Sequence, residues 1–192
     1  DVTEGEIRID GVSIKSAKQS DVRSIIGYVP QKAALFSGTI DTNLKVGDSQ
    51  ATLEMLDTAL QIAQATEIID EKPEGIHAPV AQSGANLSGG QKQRLSIARA
   101  LVKQPKIFIF DDAFSALDYK TDATLRAALK KQTNEATVIL VAQRISTIKD
   151  ADQILVLDEG KLVGIGTHET LMASCQTYQE IALSQLSLEE LS

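Results

Sequence analysis

The amino-acid sequence predicts an α/β fold in which a parallel sheet is flanked by helices. Two short apolar segments, 107–110 and 137–141, have the length and composition of buried parallel strands. Each follows a segment predicted to be helical, 95–102 and 121–131. Because strands alternate with helices of this length, a parallel sheet is favoured over an antiparallel one.

The composition is that of one globular domain with a sizeable core. The chain has 192 residues, of which 43% are hydrophobic and 23% are charged. Its net charge of −7 argues against a protein that binds nucleic acid through the phosphate backbone. The single cysteine, Cys175, excludes an internal disulfide and fits a reducing compartment.

Membrane segments and signal peptides are not evident in the sequence. No apolar run approaches the roughly 18 residues of a spanning helix, and the N-terminus lacks a signal peptide pattern. A role at a membrane would therefore need a membrane part from another segment or another chain.

The N-terminal third predicts a hairpin followed by a short helix and a strand. Ile7 and Ile9 alternate with a polar residue, and Asp10-Gly11 is a typical hairpin turn. A short helix is predicted over 20–25 and a strand over 26–29. Residues 51–70 have helical spacing of leucines, and 72–84 have the glycines and prolines of a loop.

A serine and two glycines begin the best-defined helix of the chain. Ser88 is a good N-cap, and Gly89 and Gly90 place no Cβ in front of the first turn. Since the first N–H groups of a helix lack intrahelical acceptors, this corner suits an anion such as a phosphate. An ordinary capped glycine turn would have the same four residues, so LSGG alone does not decide between the two.

Three motifs that follow one another along the chain favour the phosphate site over the ordinary capped turn. The chain carries LSGGQKQR at 87–94, FIFDD at 108–112 and SALD at 115–118. This series resembles the signature, Walker B and D-loop motifs of the nucleotide-binding domains of ABC transporters. YVPQ at 28–31, followed by LFSGTI at 35–40, resembles the Q-loop segment of the exporters. The resemblance covers residue 5 to about residue 178.

The resemblance implies an organisation for the whole chain. It implies one partial nucleotide-binding domain over 1–192, with a parallel sheet like that of P-loop NTPases, an N-terminal antiparallel β piece and a helical subdomain. The implied parts are a β piece to the Q-loop (1–31), a helical subdomain (32–87), the signature helix with the core sheet (88–174) and a C-terminal helix or tail (175–192).

The resemblance also implies ATP as substrate, Mg²⁺ as cofactor and a role for each motif residue. Asp111 and Gln31 correspond to groups at the magnesium ion, and Gln31 also reaches the attacking water. Asp112 stands where the family has a catalytic glutamate, and Gln143 where it has a histidine that contacts the γ-phosphate. The residues implied to contact nucleotide or the opposite subunit are Leu87, Ser88, Gly89, Gly90, Gln91 and Asp118.

Asp112 and Gln143 both differ from the residues of the family pattern. The resemblance implies that both positions act on the same phosphate. Aspartate is one methylene shorter than glutamate, so its oxygens lie about 1 Å farther from the water, a displacement that can cost about a hundredfold in rate. Glutamine can donate a hydrogen bond but carries no charge and moves no proton. The two changes predict the degenerate half of a heterodimeric exporter, with a weakened cis site and an intact signature. The alternative is that each of the two changes is a substitution that the site tolerates without loss of activity.

The phosphate-binding motif GxxxxGK[ST] is absent from the sequence. The only Gly-Lys pair, Gly160-Lys161, is followed by leucine. We expect the chain to be a truncated piece of a protein that contains this motif, although a protein that never had it would look the same. The isolated chain should bind ATP weakly or not at all, be inactive as an ATPase, and self-associate through unpaired sheet edges.

The expected partners are a second nucleotide-binding domain and the transmembrane domain of an exporter at the cytoplasmic face of the cell membrane. Two weakened sites favour a different chain as the second nucleotide-binding domain, and an identical chain is the alternative. No nucleic acid is expected. The alternatives are a soluble ABC ATPase that acts on nucleic acid or ribosomes, and an inert fragment. The segments 35–40 and 164–171 resemble exporters and argue against the first alternative. The sequence does not identify the transported substrate.

Overall fold

The computed structural model describes residues 2–189, with side chains through Gln185, and it separates into two compact units. The first extends to Val141 and the second begins at Ala142. The boundaries expected from the family resemblance stay predictions. None of the helices within residues 2–189 is both long and apolar enough to cross a bilayer.

The strands, in chain order, are β1 (Arg8–Ile9), β2 (Val12–Ser13), β3 (Ile26–Val29), β4 (Gly38–Thr39), β5 (Pro79–Val80), β6 (Ile107–Asp111), β7 (Thr137–Val141), β8 (Ile154–Asp158) and β9 (Lys161–Gly166). The α-helices are α1 (Gln19–Ser24), α2 (Ile40–Leu44), α3 (Leu53–Ile62), α4 (Thr66–Asp70), α5 (Gly89–Val102), α6 (Tyr119–Gln132), α7 (Ile145–Ile148), α8 (His168–Ser174) and α9 (Gln176–Glu189). The last residues of the predicted tail, 190–192, lie outside the described part of the chain.

The predicted parallel sheet is present in the first unit, with strand order β3-β6-β7. Both pairs are parallel and in register, and the predicted antiparallel piece at the N-terminus is the β1–β2 hairpin. Asp10 and Gly11 take φ values of 48° and 78°, the left-handed conformation that a two-residue hairpin turn requires. The α/β fold with a parallel sheet, flanking helices and an antiparallel hairpin is therefore confirmed.

Helix α5 is the centre of the core in the first unit. Its apolar residues are almost fully buried, and it packs against β3, α2 and α3. A Cβ built on Gly27 of β3 would lie 2.7 Å from the Pro105 ring and 3.3 Å from the carbonyl oxygen of Ala100. Only glycine therefore lets the end of α5 approach this strand so closely.

The long helix predicted over 51–70 is two helices. Gln64 adopts a left-handed φ of 55°, and the Ala65 amide donates to the Leu60 carbonyl, which ends α3 as a Schellman-type cap does. The guanidinium of Arg94 donates to the Gln64 carbonyl. Tertiary contact with α5 thus stabilises a break that the leucine spacing does not show.

Strand β7 is not buried as the sequence predicts. Val138, Ile139 and Val141 are 38%, 47% and 53% exposed, and β7 lies at the edge of the sheet, where it pairs, within the described residues, with β6 alone. An exposed apolar edge strand of this kind favours pairing with another chain.

The second unit contains an antiparallel hairpin and, within the described residues, the three helices α7, α8 and α9. Strands β8 and β9 pair with each other through the turn at Glu159 and Gly160, whose φ values are 44° and 76°. Since two left-handed residues connect the strands directly, they pair as neighbours and without a helical crossover. The core of this unit consists of Ile154, Val156, Leu171, Cys175 and Tyr178.

Candidate functional site

The signature corner, residues Ser88 to Gln91, forms the exposed start of α5. Ser88 Oγ accepts from the Gln91 amide at 3.2 Å, and Gln91 Oε1 accepts from the Ser88 amide at 3.0 Å, which is a complete capping box. This pairing satisfies two amides and leaves those of Gly89 and Gly90 at the first turn for an external acceptor. The Ser88 hydroxyl also keeps its proton for donation.

The surroundings of the two glycines show which side is open. A Cβ built on Gly89 would meet no atom within 4 Å, whereas one on Gly90 would lie 3.4 Å from the carbonyl oxygen of Ala116. Leu87, directly before the corner, is 7% exposed and anchors it in the core. The structure therefore brings the signature corner against the segment 115–118, while Gly89 faces solvent.

Asp118 ends that segment as the N-cap of α6. Its carboxylate accepts from the Thr121 amide at 3.0 Å. This backbone hydrogen bond, together with the Thr121 side chain, lowers the pKa of Asp118 below its ordinary value. The helix begins at Tyr119 and is capped by Asp118, so the predicted start at Thr121 is wrong by two residues.

The second part of the site is the carboxyl edge, where β6 ends in Asp111 and Asp112. Asp112 leaves the strand with a left-handed φ of 46°, and its amide donates to the Val141 carbonyl at 2.8 Å. This conformation is uncommon for any residue with a Cβ but is tolerated by aspartate. The contact to β7 therefore sets the direction in which the Asp112 side chain leaves the sheet.

Two side chains from β3 and its loop hold the two carboxylates separately. Gln31 Nε2 donates to Asp112 Oδ2 at 3.2 Å, and the Tyr28 hydroxyl donates to Asp111 Oδ2 at 3.1 Å. The hydrogen bond to Asp111 is the main reason that the pKa of Tyr28 is raised, with desolvation and the carboxylate charge adding to it. The predicted residues Gln31, Asp111 and Asp112 are thus brought to one edge.

The sequence does not predict the contacts of two residues near this edge, Tyr28 and Gln93. Tyr28 lies in the YVPQ motif and Gln93 in LSGGQKQR, and neither motif indicates a partner for these side chains. Gln93 is 2% exposed, and its Nε2 donates to the Pro30 carbonyl at 3.3 Å, which connects α5 to the loop that carries Gln31. A glutamine on the buried face of an apolar helix was the available signal, because buried amides need partners.

Gln143 belongs to the second unit. Its carbonyl oxygen accepts from Gln185 Nε2 at 2.6 Å, and Gln185 Oε1 accepts from the Ile145 amide at 2.7 Å. A single side chain of α9 therefore fastens the backbone on both sides of Arg144. The Gln143 side chain is exposed, and its predicted role toward a phosphate stays a prediction.

The donor atoms at the carboxyl edge fit a magnesium ion that is shared with a nucleotide. Within residues 2–189, no three His, Cys, Asp or Glu side chains cluster as a self-sufficient metal site. Magnesium typically takes one or two carboxylates and completes its coordination with water and substrate phosphates. Asp111, with the Gln31 side chain on the adjacent Asp112, offers such an incomplete set of oxygen ligands.

The exporter-like segment 35–40 is held rigidly. The Asn43 side chain is 2% exposed, accepts from the Phe36 amide at 2.8 Å, and donates to the carbonyls of Phe36 and Thr39, each at 2.9 Å. Phe36 itself is 58% exposed, with the Arg99 guanidinium 5.7 Å from its ring centroid. The buried Asn43 side chain, called the Asn43 clamp below, thus fixes the backbone that carries the exposed Phe36 side chain.

Comparison with known proteins agrees with these features. The model of the family described as ABC transporter matches residues 1–115. An uncharacterized ABC transporter ATP-binding protein of Mycobacterium tuberculosis is 48% identical over 188 residues, which is 96% of this chain and 32% of that protein. A candidate multidrug export ATP-binding/permease protein of Bacillus subtilis is 41% identical over 181 residues, or 94% of this chain and 31% of that protein.

A solved structure is also similar. The structure of a bacterial Atm1-family ABC exporter with ATP bound superposes with a TM-score of 0.94 at 40% sequence identity. The alignment covers 97% of this chain and 33% of the exporter chain. The chain therefore spans about a third of the length of each of these relatives.

Proposed function

Because the chain belongs to the ABC transporter family and has the ATP-binding domain of the exporter type, we propose that it serves as the ATP-binding part of an exporter. In this role it couples ATP binding and hydrolysis to efflux across a membrane. Names of relatives that refer to export and to a permease support this proposal and disfavour a soluble ABC ATPase acting on nucleic acid or ribosomes.

The exposed signature corner is the observation that carries the proposal. Ser88 and Gly89 are exposed, and the Gly89 and Gly90 amides stand at the positive end of a 14-residue helix. A γ-phosphate held by a second nucleotide-binding domain would accept from the Ser88 hydroxyl and these two amides. Leu87 and Gln91 hold the corner in place, and Asp118 lies on the segment beside it, where it would meet the opposite subunit.

The carboxyl edge would serve the nucleotide held in cis. Asp111 and Gln31 would hold the magnesium ion, which offsets negative charge on the phosphates of bound ATP. Asp112 would accept a proton from the attacking water as general base. In the present structure Gln31 donates to Oδ2 of Asp112, so Oδ1 would be the oxygen that engages the water.

We further propose that this cis site is the weaker of two in a heterodimer. Asp112 is shorter than the glutamate it replaces, and Gln143 lacks the charge of a histidine, whereas the signature is intact. The chain would then hold one ATP in a slow or silent site and complete an active site on a different partner chain. This division of roles follows from the residue types together with the exposed corner.

The remaining partner in this proposal is the transmembrane domain of the exporter. The segment 35–40, with Phe36 presented on the Asn43 clamp, would contact that domain. The chain would therefore act at the cytoplasmic face of the membrane, and selectivity for the transported substrate would belong to the transmembrane part.

Two substitutions in the assembled transporter test the proposal. Ser88→Arg puts a bulky side chain across the corner and should abolish most of the ATP turnover, because the partner-held phosphate loses its donors. Asp112→Asn should leave most of the turnover, which comes from the other site. The assignment of roles is wrong if Asp112→Asn abolishes turnover while Ser88→Arg is harmless.

A further inference from the structure

We propose that Tyr28 is a positioning residue that orients the Asp111 carboxylate for the metal ion. The proposal deepens the function proposed above and rests on it, since it assumes that Asp111 contacts magnesium. No motif assigns a task to this tyrosine. Its hydroxyl nevertheless makes a direct contact, at 3.1 Å, with the carboxylate of the residue that ends β6.

The register of the sheet explains why Tyr28 reaches Asp111. Tyr28 pairs with Ile109 in the parallel β3–β6 ladder, and Asp111 follows Ile109 by two residues. Side chains two residues apart on a strand share a face, so Tyr28 and Asp111 project to the same side of the sheet. The length of a tyrosine side chain spans the remaining offset along the strand direction, which a shorter hydroxyl residue would not.

Packing does not account for an aromatic residue at this position. Tyr28 is 53% exposed, whereas Val29, the next residue on the same strand, is completely buried. The polar contribution of the side chain is its hydroxyl, which donates to Asp111 Oδ2 at 3.1 Å. The hydroxyl therefore explains a tyrosine here better than packing of the ring does.

A hydrogen bond to one oxygen of a carboxylate fixes the orientation of the group, so that the other oxygen can point toward a cation. Tyr28 donates to Oδ2 of Asp111, so Oδ1 can bind metal without a free rotation of the carboxylate. Gln31 holds Asp112 in the same way, so each of the two adjacent carboxylates has its own donor and they do not exchange partners. Residues that orient a metal ligand typically change metal affinity by about 10–100-fold when removed.

The test is Tyr28→Phe in the complete protein that carries this chain. Binding of Mn²⁺, as a probe for magnesium, is measured by electron paramagnetic resonance in the presence of a non-hydrolysable ATP analogue. We expect the variant to bind Mn²⁺ about tenfold more weakly, with the binding of the nucleotide analogue in the absence of metal unchanged. The magnesium concentration that gives half-maximal ATP hydrolysis should rise by a similar factor.

Tyr178→Phe is the matched control, because it also removes a hydroxyl with a hydrogen bond, here 2.8 Å from His168 Nδ1. It can lower the melting temperature but should leave Mn²⁺ binding unchanged. Unchanged Mn²⁺ binding in Tyr28→Phe would overturn the proposal. Tighter binding would overturn it too, since the hydroxyl would then compete with the metal for Asp111.

Asp111→Asn separates a failure of this inference from a failure of the proposed function. If Asp111→Asn weakens Mn²⁺ binding while Tyr28→Phe does not, only the role of Tyr28 is wrong. If neither variant changes Mn²⁺ binding, Asp111 is not a metal ligand, and the proposed role of the carboxyl edge is wrong as well.

Discussion

The signature corner and the carboxyl edge are both proposed to face a phosphate, but they are built differently. The corner is made within four residues, by reciprocal hydrogen bonds between Ser88 and Gln91. The carboxyl edge is made by contacts across more than eighty residues, from Gln31 to Asp112 and from Tyr28 to Asp111. The corner can therefore form with its own helix, whereas the edge exists only when β3, β6 and β7 are aligned.

This difference indicates where each part is vulnerable. The corner depends on residue types at fixed spacing, so a substitution within it acts directly. The carboxyl edge depends on residues from other parts of the chain, such as Gln93, which donates to the Pro30 carbonyl, and Val141 at the end of β7.

Asp112→Glu should have the largest effect, because it restores the side chain that the family pattern has at this position. In the complete transporter we expect ATP turnover to rise by about ten- to a hundredfold at this site if a 1 Å misplacement limits it. Single-turnover hydrolysis with the partner site inactivated is the measurement. An unchanged rate would show that the carboxyl edge is limited by Gln143 or by its supports and not by side-chain length.

Gln93→Leu should destabilise the protein by about 1–3 kcal/mol, because the Pro30 carbonyl loses the donor that the buried Gln93 side chain supplies. In a domain of this size that corresponds to a fall in melting temperature of about 2–12 °C. Gln61→Leu, on the exposed side of α3, is the control and should change the melting temperature little. An equal effect of both substitutions would mean that the contact to Pro30 does not support the loop.

Ser88→Ala should cost about 1 kcal/mol of helix stability, even in a synthetic peptide of residues 86–103. The reason is that the capping box needs no residue outside this segment. Far-ultraviolet circular dichroism of the two peptides gives the comparison. If the peptides are equally helical under conditions where the parent peptide is partly folded, the corner depends on tertiary contacts after all.

The smallest effect should be the pH dependence contributed by Asp118. Its pKa is lowered in the folded state, so it contributes stability that is present above its unfolded pKa and lost as the pH falls through the folded value. Asp118→Asn keeps a capping oxygen but does not titrate. The difference in melting temperature between the two proteins should be constant above about pH 5 and change only below it. A difference that drifts between pH 6 and pH 8 would contradict this assignment.

Much of the molecule follows from local sequence patterns. The strands β3 and β6, the N-cap at Ser88 and the turn at Asp10-Gly11 lie where the sequence predicts them, because each depends on residues that are neighbours in the chain. The predicted helix over 51–70 was wrong at Gln64, where a contact from Arg94 stabilises a left-handed break. The cap at Asp118 was missed because aspartate was interpreted only by its motif.

The residue types predict which side chains are candidates for contact with phosphate and metal, because a capping serine, bare glycines and paired carboxylates have properties that do not depend on the fold. The order and spacing of three motifs also identify the family. Only the tertiary structure decided that Tyr28 holds Asp111, that Gln93 supports Pro30 and that β7 is an exposed edge. These features join residues distant in sequence, and their contacts depend on strand register and helix packing, which periodicity does not encode.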